Sequence, residues 1–337
     1  MDAAEVLNEI GFWLERQLAV SYKVEAFRKA AVIIEDLSQE ELAKRLESGA
    51  LKRTKGIGDR TLTVIKQAIE GEVPDYLADL RTDEPLAKGG AELRAKLRGD
   101  LHSHSNWSDG GSPIEEMARA ARWRGREYQV LTDHSPRLTV ANGLTAERLT
   151  EQLKIVARVN DSYDDFQFLS GIEVDILDDG KLDQTDRMLN KLDVVVASVH
   201  SKLKMDSIGM THRMVKAIND PHTNVLGHCT GRLVQGSRGK RDQSKFDAKK
   251  VFAACAANDV AVEINSRPER QDPPNNLIAM ALDAGCLFAI NTDAHAPGQL
   301  DFLDYGAERA DANGVPEDRI VTTWPVDKLL EWSHAKR

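Results

Sequence analysis

Three cysteines in 337 residues, Cys229, Cys255 and Cys286, are too few and too scattered for a disulfide scaffold. Their number is odd and no CxxC pair occurs, so they read as reduced thiols of a cytoplasmic protein. No stretch approaches the ~18 apolar residues that a membrane span needs, and no membrane partner is expected. Residues 1–18 carry Asp2, Glu5, Glu9 and Glu15 and lack a long apolar core, so they do not read as a signal peptide. Positive charge is in deficit: the net charge is −9. That excludes wholesale coating of nucleic acid but leaves room for a local basic patch. No internal repeat or low-complexity tract stands out. What remains is an ordinary globular composition, 41% hydrophobic and 29% charged, long enough for two domains.

A seam is visible. Residues 1–81 carry apolar positions at helical spacing, Ile10, Leu14 and Leu18, then Ala26, Ala30 and Ile33–Ile34. Ser38-Gln39-Glu40-Glu41 resembles a helix cap followed by an acidic first turn. Residues 82–96, with Pro85, Gly89 and Gly90 among charges, are expected to be a linker. From 97 onward the pattern changes to short apolar runs separated by helix-like stretches. Each run ends on a polar side chain able to ligate a metal or hold a phosphate. Leu101 leads into His102 and His104, Tyr128–Leu131 into Asp133 and His134, and Phe166–Ile172 into Glu173. Val194–Val199 leads into His200, Val225–Leu226 into His228, Val260–Ile264 into Asn265, and Leu287–Ile290 into Asp293 and His295. In a parallel α/β barrel all strand C-termini open on one face, where active sites are built. Ligand-type residues at six such ends predict a polynuclear metal site and a metal-dependent hydrolase.

Within the first domain, Lys52-Arg53-Thr54-Lys55-Gly56-Ile57-Gly58-Asp59-Arg60 reads as a helix-hairpin-helix. Its glycines permit a tight turn whose N–H groups can hold a phosphate. Lys52, Arg53, Lys55 and Arg60 surround it with cations. Such a contact would grip a nucleic-acid backbone and read no bases; the alternative is a plain glycine loop between two packed helices.

These blocks carry a resemblance. Residues 20–80, with Tyr22–Ala31 and the Gly56-Ile57-Gly58 hairpin, resemble the small N-terminal DNA-binding domain of family X DNA polymerases. Residues 99–337 resemble the PHP (polymerase and histidinol phosphatase) domain of the bacterial members. The matching blocks are Asp100–His104, Thr132–Ser135, Gly171–Glu173, Ser198–Ser201, Gly227–Leu233, Glu263–Asn265 and Asn291–His295, in family order. Nothing in residues 81–98 could hold a polymerase core. The resemblance implies an all-α hairpin domain followed by a distorted (β/α)7 barrel, one strand short of the common eight.

It also implies a ligand set. His102 and His104, two apart on one strand, face the same side, and the family assigns them to a first ion with Glu173 and Asp293. Glu173, with two oxygens, can bridge to a second ion flanked by His200 and ligands on the His102 side. Asp109, His134, His228 and His295 complete the set, for two or three divalent ions. Nitrogen and oxygen ligands suit zinc, manganese or iron alike. Paired ions make a bridging water acidic enough to attack phosphorus, so no protein nucleophile is required. His212, His222 and His334 match no ligand, and Cys229 reads as a small core residue.

Arg232 and Arg270, where the family has arginine, and Lys202, close behind His200, are the candidates for holding the substrate phosphate. The Schiff-base lysine of related lyase domains is replaced by Val64, and Lys66 would point elsewhere on the helix, so no such lyase activity is expected. Three functions follow. The first is a DNA phosphoesterase (3′–5′ exonuclease, abasic-site endonuclease or 3′-phosphatase) with DNA as partner. The second is a small-molecule phosphatase of histidinol-phosphatase type, and the third a non-catalytic DNA-binding adaptor.

Overall fold

Helices alone occupy residues 3–80 in the computed structural model, which describes residues 1–236 and 239–336. They are α1 (Ala3–Arg16), α2 (Ser21–Ile34), α3 (Gln39–Glu47), α4 (Ala50–Arg53), α5 (Asp59–Ile69) and α6 (Asp75–Leu80). Leu7, Ile10 and Leu14 form the buried stripe of α1, which Asp2 caps by accepting from the N–H groups of Ala4 and Glu5 at 2.8 and 3.0 Å. Ser38 caps α3, accepting from the Glu41 N–H at 3.2 Å. The expected stripe is trimmed at both helices. Leu18 lies beyond α1, in a turn with φ +54° and largely exposed, and Ala26 faces outward. On α5, Val64 and Ile65 are buried in the helical core, whereas Lys66 is exposed beside Glu70 at 3.8 Å.

This helical unit comprises Met1–Glu84 with Pro297–Gln299, and the second unit Pro85–Ala296 with Leu300 onward. The segment expected as a linker is therefore structured from Pro85. Residues Ala91–Lys96 form α7, Leu93 and Leu97 enter the second unit's core, and Arg94 donates to Asp304 at 2.8 Å. Glycine and proline there mark the turn into a helix. The apolar pair four residues apart was the signal of its burial.

The second unit is a ring of seven parallel strands in chain order. They are β1 (Gly99–Asp100), β2 (Tyr128–Leu131), β3 (Gln167–Asp175), β4 (Val194–Ser198), β5 (Val225–Leu226), β6 (Ala261–Asn265) and β7 (Phe288–Asn291). Nearly every strand residue is buried, as a parallel sheet covered by helices requires. Helices α8 (Ile114–Trp123), α9 (Ala146–Asn160), α10 (Asp186–Leu189), α11 (Ser207–Ile218), α12 (Ala248–Ala257) and α13 (Asn275–Asp283) connect successive strands, and α14 (Leu303–Ala312) and α15 (Val326–His334) follow β7. The ring closes between its first and last strands. Ser103 bridges Ala294 in parallel, and the His104 N–H donates to the Ala294 carbonyl at 2.8 Å. Asp100 reinforces that seam, accepting from the N–H groups of His102 and Thr292 and from the Thr292 hydroxyl. No helix among the described residues is long and apolar enough to cross a membrane.

Candidate metal centre

Because every strand runs the same way, their C-terminal residues share one end of the barrel, and the side chains there converge. His102 and His104 lie just past β1, whose ladder stops at Asp100. Glu173 sits within β3, and His200 follows β4. Glu173 is the hub. Its Oε2 lies 2.9 Å from His134 Nδ1, 3.4 Å from His102 Nε2 and 3.6 Å from His104 Nε2. Its Oε1 lies 2.8 Å from His228 Nε2 and 3.2 Å from His200 Nε2. Asp293 Oδ1 stands 3.5 Å from His104 Nε2 and 4.0 Å from His102 Nε2. On the other side Asp109 Oδ1 lies 3.3 Å from His134 Nε2 and 3.5 Å from His295 Nε2.

Ligand atoms within 4.8 Å of one another fall into three groups: His104 with Asp109, His134 and His295; His102 with His104 and Asp293; and His134 with Glu173 and His200. His228 joins the third through Glu173 Oε1. All nine residues expected as ligands are thus brought together. His228 stands beside His200, and Asp109 beside His134 and His295. His212, His222 and His334 lie outside these groups; His222 is held by Asp220 at 2.9 Å.

The donor set fits divalent ions. Both oxygens of Glu173 and ring nitrogens of His102, His104, His200 and His228 are buried without a hydrogen-bond partner. Such groups are normally satisfied or costly. His104 also stacks on His134 and lies against His295, at 4.5 and 4.3 Å between ring centres. Burial, aided by those two rings, pushes the His104 pKa down to about 3, so it offers a neutral ring. Burial acts in the same sense on His134 but is outweighed by Glu173 and Asp109, which raise it to about 10. Burial opposes ionisation of Glu173 too, yet the surrounding histidines hold it well below the usual carboxylate range.

A second layer orients the first. Glu263, fully buried in β6, accepts from His102 Nδ1 at 2.7 Å and Asn291 Nδ2 at 2.9 Å on one oxygen. On the other it accepts from the His228 N–H at 2.7 Å and Asn265 Nδ2 at 3.1 Å. A proton on His102 Nδ1 leaves Nε2, which faces Glu173, as the ligating nitrogen. Asp133 is likewise an anchor: it accepts from the Ser105 N–H and Oγ, Ser108 Oγ and Gln152 Nε2, tying the loop that carries Asp109 to β2. Asn265 donates to Asp293 Oδ2 at 3.1 Å. The reading of strand ends overlooked Glu263, although its alternation with Asn265 along β6 placed both at the same end.

The phosphate candidates separate. Arg270 is buried and its Nε donates to Asp293 Oδ2 at 3.0 Å, within the centre. Lys202 is exposed and paired with Asp178 at 2.5 Å. Arg232 donates to the carbonyls of Arg270 and Gln271, a bracing role. Cys229 is buried with its thiol toward Asp272 at 3.9 Å.

In the helical unit, Gly56 has φ +105°, and a Cβ there would meet Ile33 Cδ1 at 2.6 Å, so the turn requires glycine. Gly58 has an ordinary φ of −98°, and its N–H is taken by Thr61 Oγ1 at 2.9 Å. Donors for a phosphate therefore fall to the first turn of α5, residues 59 and 60. Lys52, Arg53, Lys55 and Arg60 are exposed; Lys52 reaches Asp59 at 4.0 Å, and Arg60 lies over the Tyr76 ring at 5.0 Å.

Residues 100–267 match the PHP domain. The chain carries a PHP domain, and its barrel with this strand-end cluster is that of a metal-dependent phosphoesterase. It is 39% identical over 215 residues to the DNA polymerase/3'-5' exonuclease PolX of Bacillus subtilis. That alignment takes in 64% of this chain but only 37% of that protein's length. It is 26% identical to a probable phosphatase of Caldanaerobacter subterraneus subsp. tengcongensis, over 74% of this chain and 95% of that one. The probable phosphatase YcdX of Escherichia coli is also 26% identical, over 67% and 90% respectively.

Proposed function

We propose that the protein is a DNA phosphoesterase, with the barrel hydrolysing phosphoester bonds near strand ends or abasic sites and the hairpin holding the duplex backbone. The observation that carries this reading is the pairing, in one chain, of a convergent His/Asp/Glu centre with a glycine turn ringed by exposed cations. The 39% identity to a protein named as a 3'-5' exonuclease supports it.

In this reading His102, His104, Glu173 and Asp293 hold one ion, Glu173, His200 and His228 a second, and Asp109, His134 and His295 a third. Such ions supply Lewis acidity at phosphorus and an activated water. Glu173 presents one oxygen to each of two groups of rings, Glu263 fixes the His102 ring, and Arg270 places a cation beside Asp293 where a phosphate oxygen would bind. Lys202 guards the mouth, and Arg232 acts through the carbonyls that it braces.

A second reading, a small-molecule phosphatase of histidinol-phosphatase type, is favoured by the probable phosphatases that align over nine-tenths or more of their own length. One experiment separates the two. Manganese- or zinc-loaded protein is given a 3′-recessed labelled duplex, a duplex with an abasic site, and histidinol phosphate, with His102→Ala as control. Shortening or incision of DNA that the variant lacks supports the nuclease. Phosphate release from histidinol phosphate alone overturns it, and protein purified without chelators yet free of metal would point instead to a non-catalytic adaptor.

A further inference from the structure

The chain is acidic, yet two loops at the open end of the barrel are basic. Residues 199–206 after β4 and 227–247 after β5 hold Lys202, Lys204, Arg232, Lys240, Arg241 and Lys245 among the described residues, against Asp206, Asp242 and Asp247. Two of those acids are engaged as helix caps. Asp206 accepts from the Gly209 N–H at 2.9 Å and Asp247 from the Lys250 N–H at 3.2 Å.

The loops are fastened to one another. Ser244 Oγ donates to the Leu203 carbonyl at 2.9 Å, and the Ser244 N–H to the Thr230 carbonyl at 2.8 Å. Gly231, with φ +62°, lies so near Leu203 that a Cβ would meet its Cδ2 at 2.8 Å. Leu233 and Arg241 exchange backbone hydrogen bonds of 2.9 Å, folding the longer loop back on itself. Lys204 and Lys245 each directly follow a partner in the Leu203–Ser244 bond, so the fastening draws them together.

Lys204, Lys240 and Lys245 are exposed and have no acidic partner among the described residues. Lys202 pairs with Asp178, while Arg232 and Arg241 donate to carbonyls. Neighbouring unpaired cations repel one another. A phosphate chain relieves that repulsion and releases its own condensed counterions, which is a large favourable term at moderate salt. Both loops begin at the centre itself, at His200 and His228, the histidines that converge on Glu173 Oε1.

We propose that these loops form a basic ridge along which the backbone of a single DNA strand lies as it enters the centre past His200 and His228. The proposal rests on the nuclease reading and extends it, giving the barrel a nucleic-acid contact independent of the hairpin cations. A single strand is specified because the converging atoms are buried, with His228 at 2% and Glu173 at 1% exposure. A phosphate held in an intact duplex does not reach that depth, whereas an unpaired end can.

The test is binding of a fluorescent, phosphorothioate-linked single-stranded 20-mer to the full-length manganese-loaded protein, by anisotropy across a salt series. It compares wild type, Lys204→Gln/Lys240→Gln/Lys245→Gln, and the matching triple Lys→Arg variant, all checked for equal melting midpoint and metal content. Each single-strand phosphate contact carries ~0.7 of log–log salt slope, or roughly fivefold in affinity at 0.1 M salt. The glutamine variant should therefore lose roughly a hundredfold in affinity and about 2 in slope, and the arginine variant should lose neither. Equal affinity and slope for wild type and glutamine variant, with wild type still degrading DNA, overturns the ridge and spares the nuclease reading. A wild type that neither binds this strand nor degrades its unmodified phosphodiester counterpart overturns both.

Discussion

The barrel's centre and the hairpin of the helical unit both gather charge, and they do so in opposite ways. In the centre, His102, His104, Glu173 and Asp293 are at most 1% exposed, and second-layer groups such as Glu263 and Asn265 are fully buried. Several of its polar atoms face one another without a hydrogen bond to satisfy them. Desolvated charges of that kind interact strongly, and they are tolerable in a fold only when something else completes them. The hairpin cations stand in water, loosely paired, each contributing little to the fold. The centre therefore declares its ligand class through geometry. The hairpin announces only a preference for anions, so its partner has to be established by binding.

The sharpest way to break the contrast is Glu173→Gln. Loss of the hub charge should remove bound metal from two groups and bring hydrolysis of every substrate to background, while duplex binding stays unchanged. Elemental analysis and a binding titration on the same sample check this, and retained turnover would sink the ligand assignment. Glu263→Gln tests the supporting layer. Loss of such a partner typically weakens metal binding 10–100-fold, so competition against a chelator should show a drop of that order, with Glu263→Asp recovering part of it.

The pH dependence tests the electrostatics. In the ion-free protein His134 is raised to about 10 by Glu173 and Asp109 against its burial. Its charged form therefore stabilises the ion-free fold below the unfolded value of 6.5, and that contribution is lost as the pH rises through about 10. Since ligation needs neutral rings, and the pKa of His102 and His200 is raised as well as that of His134, loading should release at least one proton per molecule at pH 8 and tighten by about tenfold or more per pH unit. Calorimetry in buffers of different ionisation enthalpy reads this directly, and zero proton release would contradict it. For the hairpin, Lys55→Gln should weaken duplex binding about eightfold at 0.1 M salt, reducing the slope by ~0.9 with metal content untouched. The smallest effect is none at all. With Val64 in the core and Lys66 on the surface, borohydride should trap no abasic-site adduct, and an adduct lost in Lys66→Ala would reverse that view.

Much of the barrel was legible because parallel strands are buried on both faces and so read as short apolar runs, with their ends marked by His and acidic residues. β2 and β5 coincide with such runs. β1 was harder, since its ladder holds only Gly99 and Asp100, and in the Leu-His-Ser-His that follows only Ser103 forms a bridge. Glu263 escaped because a carboxylate inside an apolar run looks the same whether it ligates or supports a ligand; only its four donors distinguish the roles. Residues 85–96 were misjudged because glycine and proline outweighed Leu93 and Leu97, whose burial is decided by α14 about two hundred residues away. Leu18 was lost to the capping turn, which ended α1 at Arg16 before the apolar spacing ran out.

The seam of the ring carries one more consequence. Ser103 and His104 join Ala294, and Asp100 joins Thr292, across some 190 residues of chain. During synthesis the first strand emerges long before its closing partner, and the loop between them is the most expensive contact in the barrel to close. His102 and His104 therefore wait, exposed and without their Asp293 counterpart, until residue 293 has left the ribosome. Loading of the group that they share is thus a late event in the protein's life. A chain interrupted anywhere before residue 293 is left with an open ring and an incomplete cage, so metal retention reports on whether synthesis has passed that point.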